Sequence, residues 1–262
     1  MLETYQKTLS NTVKLQGTGL HSGEKSTINI LPAPEDHGVV FKRTDLKNNN
    51  LIKANFENVS SAKLCTTLEN NYGAKVSTVE HLLAAFYIYG VDNALVEINS
   101  EEVPIMDGSS KDFLTELKKT DLKNQEKKRK YLKITNKIEL VKGEKKISIE
   151  PNNLSLEVNF QLNYENKLIG KQKNVVDFQK DDLKEVYSSR TFCLYEDIDL
   201  IKSKGLAKGG SLENAIVVKD NEILNPEGLR NEKEFVNHKI LDLSGDFFLS
   251  GFRIIGKVKC DQ

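Results

Sequence analysis

The sequence predicts an α+β protein made of two layers of strands and helices packed on each other, and three observations predict it. Runs that alternate apolar and polar residues, such as "STINIL" at 26–31 and "ALVEIN" at 94–99, read as half-buried strands. In each half these runs give way to segments with the 3.6-residue period of a helix, so strands are followed by helices twice over. Between the halves, "KKTDLKNQEKKRK" at 118–130 has almost no apolar content and marks the best domain boundary. A cut near residue 126 leaves a first domain at 1–126 and a second at 127–262.

In the first half, Ile28 and Ile30 share one strand face, and "GVVFKR" follows as a second strand. The period changes in "STVEHLLAAFYIYG", where Val79, Leu82, Leu83, Phe86 and Tyr89 are spaced for a helix that stops at Gly90. A second helix is expected in "KDFLTELKK", entered from the turn "PIMDGSS". After the boundary, "YLKITNKIEL", "KKISIE" and "LSLEVNFQL" alternate as strands. Short helical stretches, a strand "AIVV" at 215–218, a long helix from about Arg230 to Phe248 and a last strand "FRIIGKVK" complete the chain. No internal repeat is legible.

The 262 residues are 38% apolar, enough for a sizeable core, and 38 basic side chains balance 38 acidic ones. No global field draws such a protein to nucleic acid or to an anionic membrane. No stretch approaches the apolar length that spans a bilayer, so no integral membrane segment is expected. Three widely spaced cysteines, Cys65, Cys193 and Cys260, form neither a disulfide framework nor a C-x-x-C metal site, which fits a reducing cytoplasm.

Four histidines are present. His37 lies in the loop "APEDHG" and reads as solvated, and His21 in the glycine-punctuated "GTGLHSG" reads as a hydrogen-bonded structural residue. His238 and Asp242, four apart on the long helix, share one face, and an imidazole with a carboxylate suits Zn²⁺. A third ligand is then needed, and His81 is the remaining histidine on a helix. The same spacing also suits a simple i,i+4 hydrogen-bonded pair, and spacing leaves both readings open. Glu80, beside His81, is placed either as a base toward a metal-activated water or, with Ser77, as the S-x-x-E capping box of the helix. The segment 188–218 mixes Thr191, Phe192, an amphipathic stretch around Ile198, Leu200 and Ile201, and a Gly209-Gly210 turn. It is either ordinary packing or the wall of a site for an apolar ligand.

These residues resemble the zinc-dependent UDP-3-O-acyl-N-acetylglucosamine deacetylases of lipid A biosynthesis. The resemblance runs through "GTGLHSG", "LPAPEDHGVVFKRTDL", "LCTTL", "STVEHLLAA", "VDNALVEIN", "VPIMDGSS", "SRTF", "GLAKGGSLENAIVV", "EFVNHKILDLSGDFFL" and "IIG", in the family's order. It implies Zn²⁺, with Fe²⁺ as an alternative, held by His81, His238 and Asp242, with Glu80 as general base. It implies that Thr191 stabilises the tetrahedral intermediate, that Phe192 lines the sugar and acyl site, that Lys239 contacts substrate, and that Asp246 orients or charge-stabilises the family's catalytic histidine. Leu64, Cys65 and Gly210 join Thr191, Phe192 and Lys239 on the substrate-binding side, and 192–218 corresponds to an insert that forms an acyl passage.

The implied fold is two similar domains, each a small, mostly antiparallel sheet backed by helices, layered with the site between them. The implied ligand is an acylated UDP-N-acetylglucosamine, with no nucleic-acid partner, and the expected state is a cytoplasmic monomer. The family continues past "IIG" into a loop with a glycine-histidine pair that supplies the general acid, whereas this sequence stops at Gln262. The expectation is therefore zinc and substrate binding with slow turnover. The rival is a homologue that keeps metal and acylated UDP-sugar as ligands without efficient turnover.

Overall fold

A computed structural model describes residues 2–262. The first half contains β1 (Tyr5–Leu9), β2 (Val13–Thr18), β3 (Lys25–Pro32), β4 (Val39–Arg43), β5 (Leu51–Lys53), β6 (Val59–Ser61), β7 (Thr67–Glu69), β8 (Lys75–Ser77), α1 (Glu80–Tyr89), β9 (Ala94–Ile98), α2 (Lys111–Leu117) and β10 (Leu122–Lys128). The second contains β11 (Tyr131–Lys133), β12 (Ile138–Lys142), β13 (Lys145–Glu150), β14 (Leu156–Asn163), β15 (Lys171–Asp177), α3 (Lys184–Tyr187), β16 (Phe192–Leu194), α4 (Ile198–Ser203), β17 (Ile216–Lys219), β18 (Glu222–Ile223), α5 (Glu234–Phe248) and β19 (Arg253–Asp261). The α+β class holds. None of the helices among the described residues is long and apolar enough to cross a membrane.

The two large sheets have one topology. In the first the order is β2-β3-β9-β4-β5, and in the second it is β12-β13-β19-β14-β15, with β11 added beside β19. In each sheet two hairpins flank a central strand that is antiparallel to one neighbour and parallel to the other. That central strand, β9 or β19, follows the helix of its half, α1 or α5. The fold is thus a tandem duplication that the residues themselves do not display. Pattern repeats only where burial repeats, and the second sheet's edge strand β12 is exposed throughout.

The helices α1 and α5 pack between the sheets. Every residue of α1 from Glu80 to Phe86 is buried, because opposite faces of the helix meet different cores: Leu82, Leu83, Ala85 and Phe86 join the apolar cluster of the first half, and Ala84 joins that of the second. Phe248 and Leu249, at the end of α5, return to the first cluster. Arg253 clamps the exit of α1, since its guanidinium lies 4.6 and 4.7 Å from the rings of Tyr87 and Phe248. It also donates to the Val91 carbonyl at 2.8 Å, where a cation favours the carbonyl-rich helix end.

Two segments differ from expectation. The polar run 118–130, read as a boundary, contains β10, which pairs antiparallel with β1. None of the β10 side chains is buried, so backbone pairing holds it, helped by Glu35, whose carboxylate accepts from the N–H groups of Glu126 and Lys127. Periodicity is blind to a strand with no buried face. The long helix begins at Glu234 rather than near Arg230, because the Glu234 side chain accepts from the Arg230 N–H at 2.6 Å and closes a turn just ahead of it.

Candidate functional site

Strand β8 enters α1 through Thr78, whose φ of +57° is a strained conformation for a β-branched residue. Its hydroxyl donates to Glu102 at 2.8 Å, and that buried carboxylate also accepts from the N–H groups of His21 and Ser22. The sharp entry aims Glu80 and His81, the first two residues of α1, at α5. The capping-box alternative for Glu80 does not hold. The position before the helix is Val79, with no side-chain cap, and Glu80 Oε2 accepts from the Thr66 N–H at 3.0 Å.

The donor atoms of His81, His238 and Asp242 converge, all within 4.8 Å of one another. Asp242 Oδ1 lies 3.4 Å from Nε2 of His81 and 3.4 Å from Nε2 of His238. Charged hydrogen bonds run about 2.7–2.9 Å, whereas bonds of about 2.0–2.1 Å to a shared tetrahedral ion put neighbouring ligand atoms about 3.3–3.4 Å apart. Asp242 Oδ1 and His81 Nδ1 are buried without a hydrogen-bond partner among the described residues, a costly state that an ion relieves for the carboxylate oxygen. The donor chemistry and spacing fit a divalent metal. The i,i+4 pair on a solvated face is not what forms, because His238 is 2% exposed.

At His238 and Asp242 electrostatics favour the same use. Burial pushes the His238 imidazole down to about 3, so it is neutral with a lone pair to offer. His238 Nδ1 lies 3.0 Å from the Ser189 carbonyl. A carbonyl only accepts, so the proton sits on Nδ1 and the lone pair on Nε2. Asp242 is held well below the ordinary carboxylate range: burial opposes ionisation, but His238, Lys239 and His81 outweigh it. Lys239 donates to Asp242 Oδ2 at 3.2 Å and sits 5.4 Å from the centre of the Phe192 ring.

Glu80 is pushed up to about 7, first by burial, with Asp242 and Asp246 adding repulsion against the pull of His81. Its folded pKa exceeds its unfolded one, so its contribution to stability is fully present below about 4.3 and is lost as pH rises through about 7. The loss is worth about 3 kcal/mol for a pKa difference of roughly 2.5. In the metal-free protein, Glu80→Gln is therefore expected to match the parent at pH 4 and to exceed its unfolding free energy by about 2–3 kcal/mol at pH 8. Urea unfolding at both pH values checks this, and a gap that does not widen with pH contradicts it.

Beside these groups lies an apolar cavity of about 380 Å³. Leu64, Thr191, Phe192 and Gly210 line it, with Ile198 and Ile201 of α4 and Val217 of β17. Next to it the halves meet, because the Gly209 N–H donates to the Leu20 carbonyl at 3.0 Å, and a Cβ on Gly209 would stand 2.2 Å from the Gly19 carbonyl oxygen. Thr191 is clamped on both sides, its N–H on the Gly108 carbonyl and its own carbonyl on the Ile216 N–H, each at 2.8 Å. Phe192 links the cavity to the cluster of His81, His238 and Asp242, its ring centre 6.3 Å from that of His238.

Cys65 does not line the cavity. Its thiol, raised by burial and by the Glu80 charge, lies 3.8 Å from the Thr67 hydroxyl. Asp246 accepts from the Thr66 hydroxyl at 2.8 Å. Among the loop residues, His37 contacts its neighbour's carbonyl, and His21 lines the cavity with its Nε2 buried.

Spacing missed Thr66, which ties Glu80 to Asp246, although it stands inside "LCTTL". Also given no role were Ser189, Arg190 and Glu234, although they stand inside "SRTF" and "EFVNHKILDLSGDFFL"; all three are fully buried.

The profile of the UDP-3-O-acyl N-acetylglycosamine deacetylase family matches residues 6–262. A protein from Shewanella sp. (strain W3-18-1) is 41% identical over 256 residues, 97% of this chain and 83% of the relative. One from Geotalea uraniireducens (strain Rf4) is 42% identical over the same shares of each chain. Both are named UDP-3-O-acyl-N-acetylglucosamine deacetylase. With the profile spanning nearly all of the sequence and relatives well above 30% identity, the chain belongs to the UDP-3-O-acyl N-acetylglycosamine deacetylase family.

Proposed function

We propose that this chain hydrolyses the N-acetyl group of UDP-3-O-(3-hydroxyacyl)-N-acetylglucosamine to the free amine and acetate, using one Zn²⁺, as the committed step of lipid A biosynthesis. The observation that carries the reading is the convergence of His81, His238 and Asp242 on one point beside the buried Glu80, next to an apolar cavity. The names of the relatives supply the substrate. Fe²⁺ is the alternative ion, since two imidazoles and a carboxylate suit it too.

When bound, the ion supplies Lewis acidity, which lowers the pKa of a water toward about 7 and polarises the acetyl carbonyl. Glu80 takes the proton of the attacking water. Its Oε2 is held by the Thr66 N–H, which keeps the carboxylate oriented. As the carbonyl carbon becomes tetrahedral, the Thr191 hydroxyl donates to the developing oxyanion from a backbone fixed on both sides. Lys239, tethered to Asp242, adds positive charge toward substrate. Phe192 offers its face to sugar or acyl chain, and the cavity shelters the acyl chain from water. Collapse breaks the C–N bond, and the departing nitrogen takes the proton that Glu80 acquired.

The test is release of acetate and free amine in equal amounts from the acylated UDP-sugar, abolished by a chelator and restored by Zn²⁺. Binding of Zn²⁺ and substrate without acetate release would instead assign a ligand-binding homologue.

A further inference from the structure

The Ser189–Arg190 peptide is gripped at both ends by one face of α5. Its carbonyl lies 3.0 Å from His238 Nδ1, and its N–H donates to Glu234 Oε1 at 3.1 Å. Glu234 and His238 are four residues apart, one helical turn, so one face of the helix holds a single peptide unit between a carboxylate and an imidazole. All four residues are buried, with Ser189, Arg190 and Glu234 at 0% exposure.

We propose that Glu234 acts through the Ser189–Arg190 peptide as the positioning carboxylate of His238, fixing its tautomer and strengthening it as a metal ligand. Metal-binding imidazoles commonly donate their second N–H to a carboxylate or carbonyl, which orients the ring and raises its basicity. Here the carboxylate does not touch the imidazole. It pulls on the peptide N–H, and a peptide polarised at its N–H is a better acceptor at its C=O. The carbonyl then draws harder on the Nδ1 proton, and the Nε2 lone pair becomes the richer donor.

Glu234 is held for this task from several sides. Arg190 Nε donates to Oε1 at 2.8 Å and Nη2 to Oε2 at 3.2 Å, while the Arg230 N–H donates to Oε2 at 2.6 Å. The remaining Arg190 nitrogen pairs with Glu227, farther from the site. This arrangement sets the position of the segment that leads through Thr191 into β16 against the helix that carries His238, so one buried ion pair aligns both.

The inference rests on the proposed metal reading, and the experiment separates the two. Zn²⁺ affinity is measured by chelator competition on the parent, on His238→Ala, on Glu227→Gln and on the double variant Arg190→Met with Glu234→Met, which removes the ion pair as a unit and leaves no buried charge unpaired. In parallel, long-range ¹H–¹⁵N spectra of the metal-free parent report which ring nitrogen of His238 carries the proton. The expected result is tight binding by the parent, loss in His238→Ala, about tenfold weakening in the double variant, no change in Glu227→Gln, and a proton on Nδ1. Double-variant affinity equal to the parent's, equal weakening by Glu227→Gln, or a proton on Nε2 each overturns the inference while leaving the metal reading standing. A parent that binds no Zn²⁺, or a His238→Ala variant that binds it as tightly as the parent, overturns the metal reading and this inference with it. The tautomer readout needs no variant to fold.

Discussion

Glu80→Gln is expected to lower the rate of acetate release by about 10²–10⁴, roughly 3–5 kcal/mol of barrier, with little change in KM or in bound metal. Glutamine has the shape of glutamate and its carbonyl oxygen still accepts from the Thr66 N–H that Glu80 uses, so the entry of α1 is preserved. What is lost is the ability to take a proton. Glu80 suits that task because burial raises it to about 7, near the operating range in which a general base is most effective. Initial rates and metal content, measured together, check the expectation. A rate within threefold of the parent's would remove Glu80 from the mechanism, and a parallel loss of metal would make it a structural support of the cluster.

The second large effect is expected at Gly245. A glycine in the interior of a helix costs about 1 kcal/mol against alanine, so its place in α5 calls for a packing reason. A Cβ there would stand 2.1 Å from the Glu80 carbonyl oxygen and 3.1 Å from the Ala84 nitrogen, backbone atoms of α1 that no rotamer change can move aside. Gly245→Ala must push the helices apart at the turn that carries Glu80 and His81. Overpacking of this kind costs about 3 kcal/mol, and for a chain of this size that is a fall of roughly 6–12 °C in Tm. Because His81 rides on the displaced helix and Asp242 on the other, Zn²⁺ affinity is expected to fall as well. Thermal unfolding and chelator competition check both parts, and a variant as stable as the parent would mean that the helices are not in close contact.

Much of this protein was legible without coordinates. The segments with strong period came out in place: α1 ends at Gly90, whose φ is +98°, and β13 and β17 fall where alternation or apolar runs placed them. The strands that escaped are short or have few buried side chains, such as β10. At the site, helical spacing made His238 and Asp242 neighbours, and this needed only the geometry of one turn. The role of Glu80 was different, since the S-x-x-E pattern and a catalytic carboxylate look alike in sequence. That the capping box does not form depended on Thr66, fourteen residues away, whose N–H donates to the carboxylate.

The amino-acid sequence by itself determined the α+β class, the helix that bears Glu80 and His81, the helix that bears His238 and Asp242, and the family resemblance, because each of these is written in local period or in contiguous motifs. Only the tertiary structure decided that the two halves share one topology, that Gly245 lets α1 and α5 touch, and that the three donor atoms meet within 4.8 Å. The physical reason is separation along the chain. His81 and His238 are placed by packing between different halves, and the buried charges near His238, Arg190 and Glu234, are recognisable only when their partners are seen.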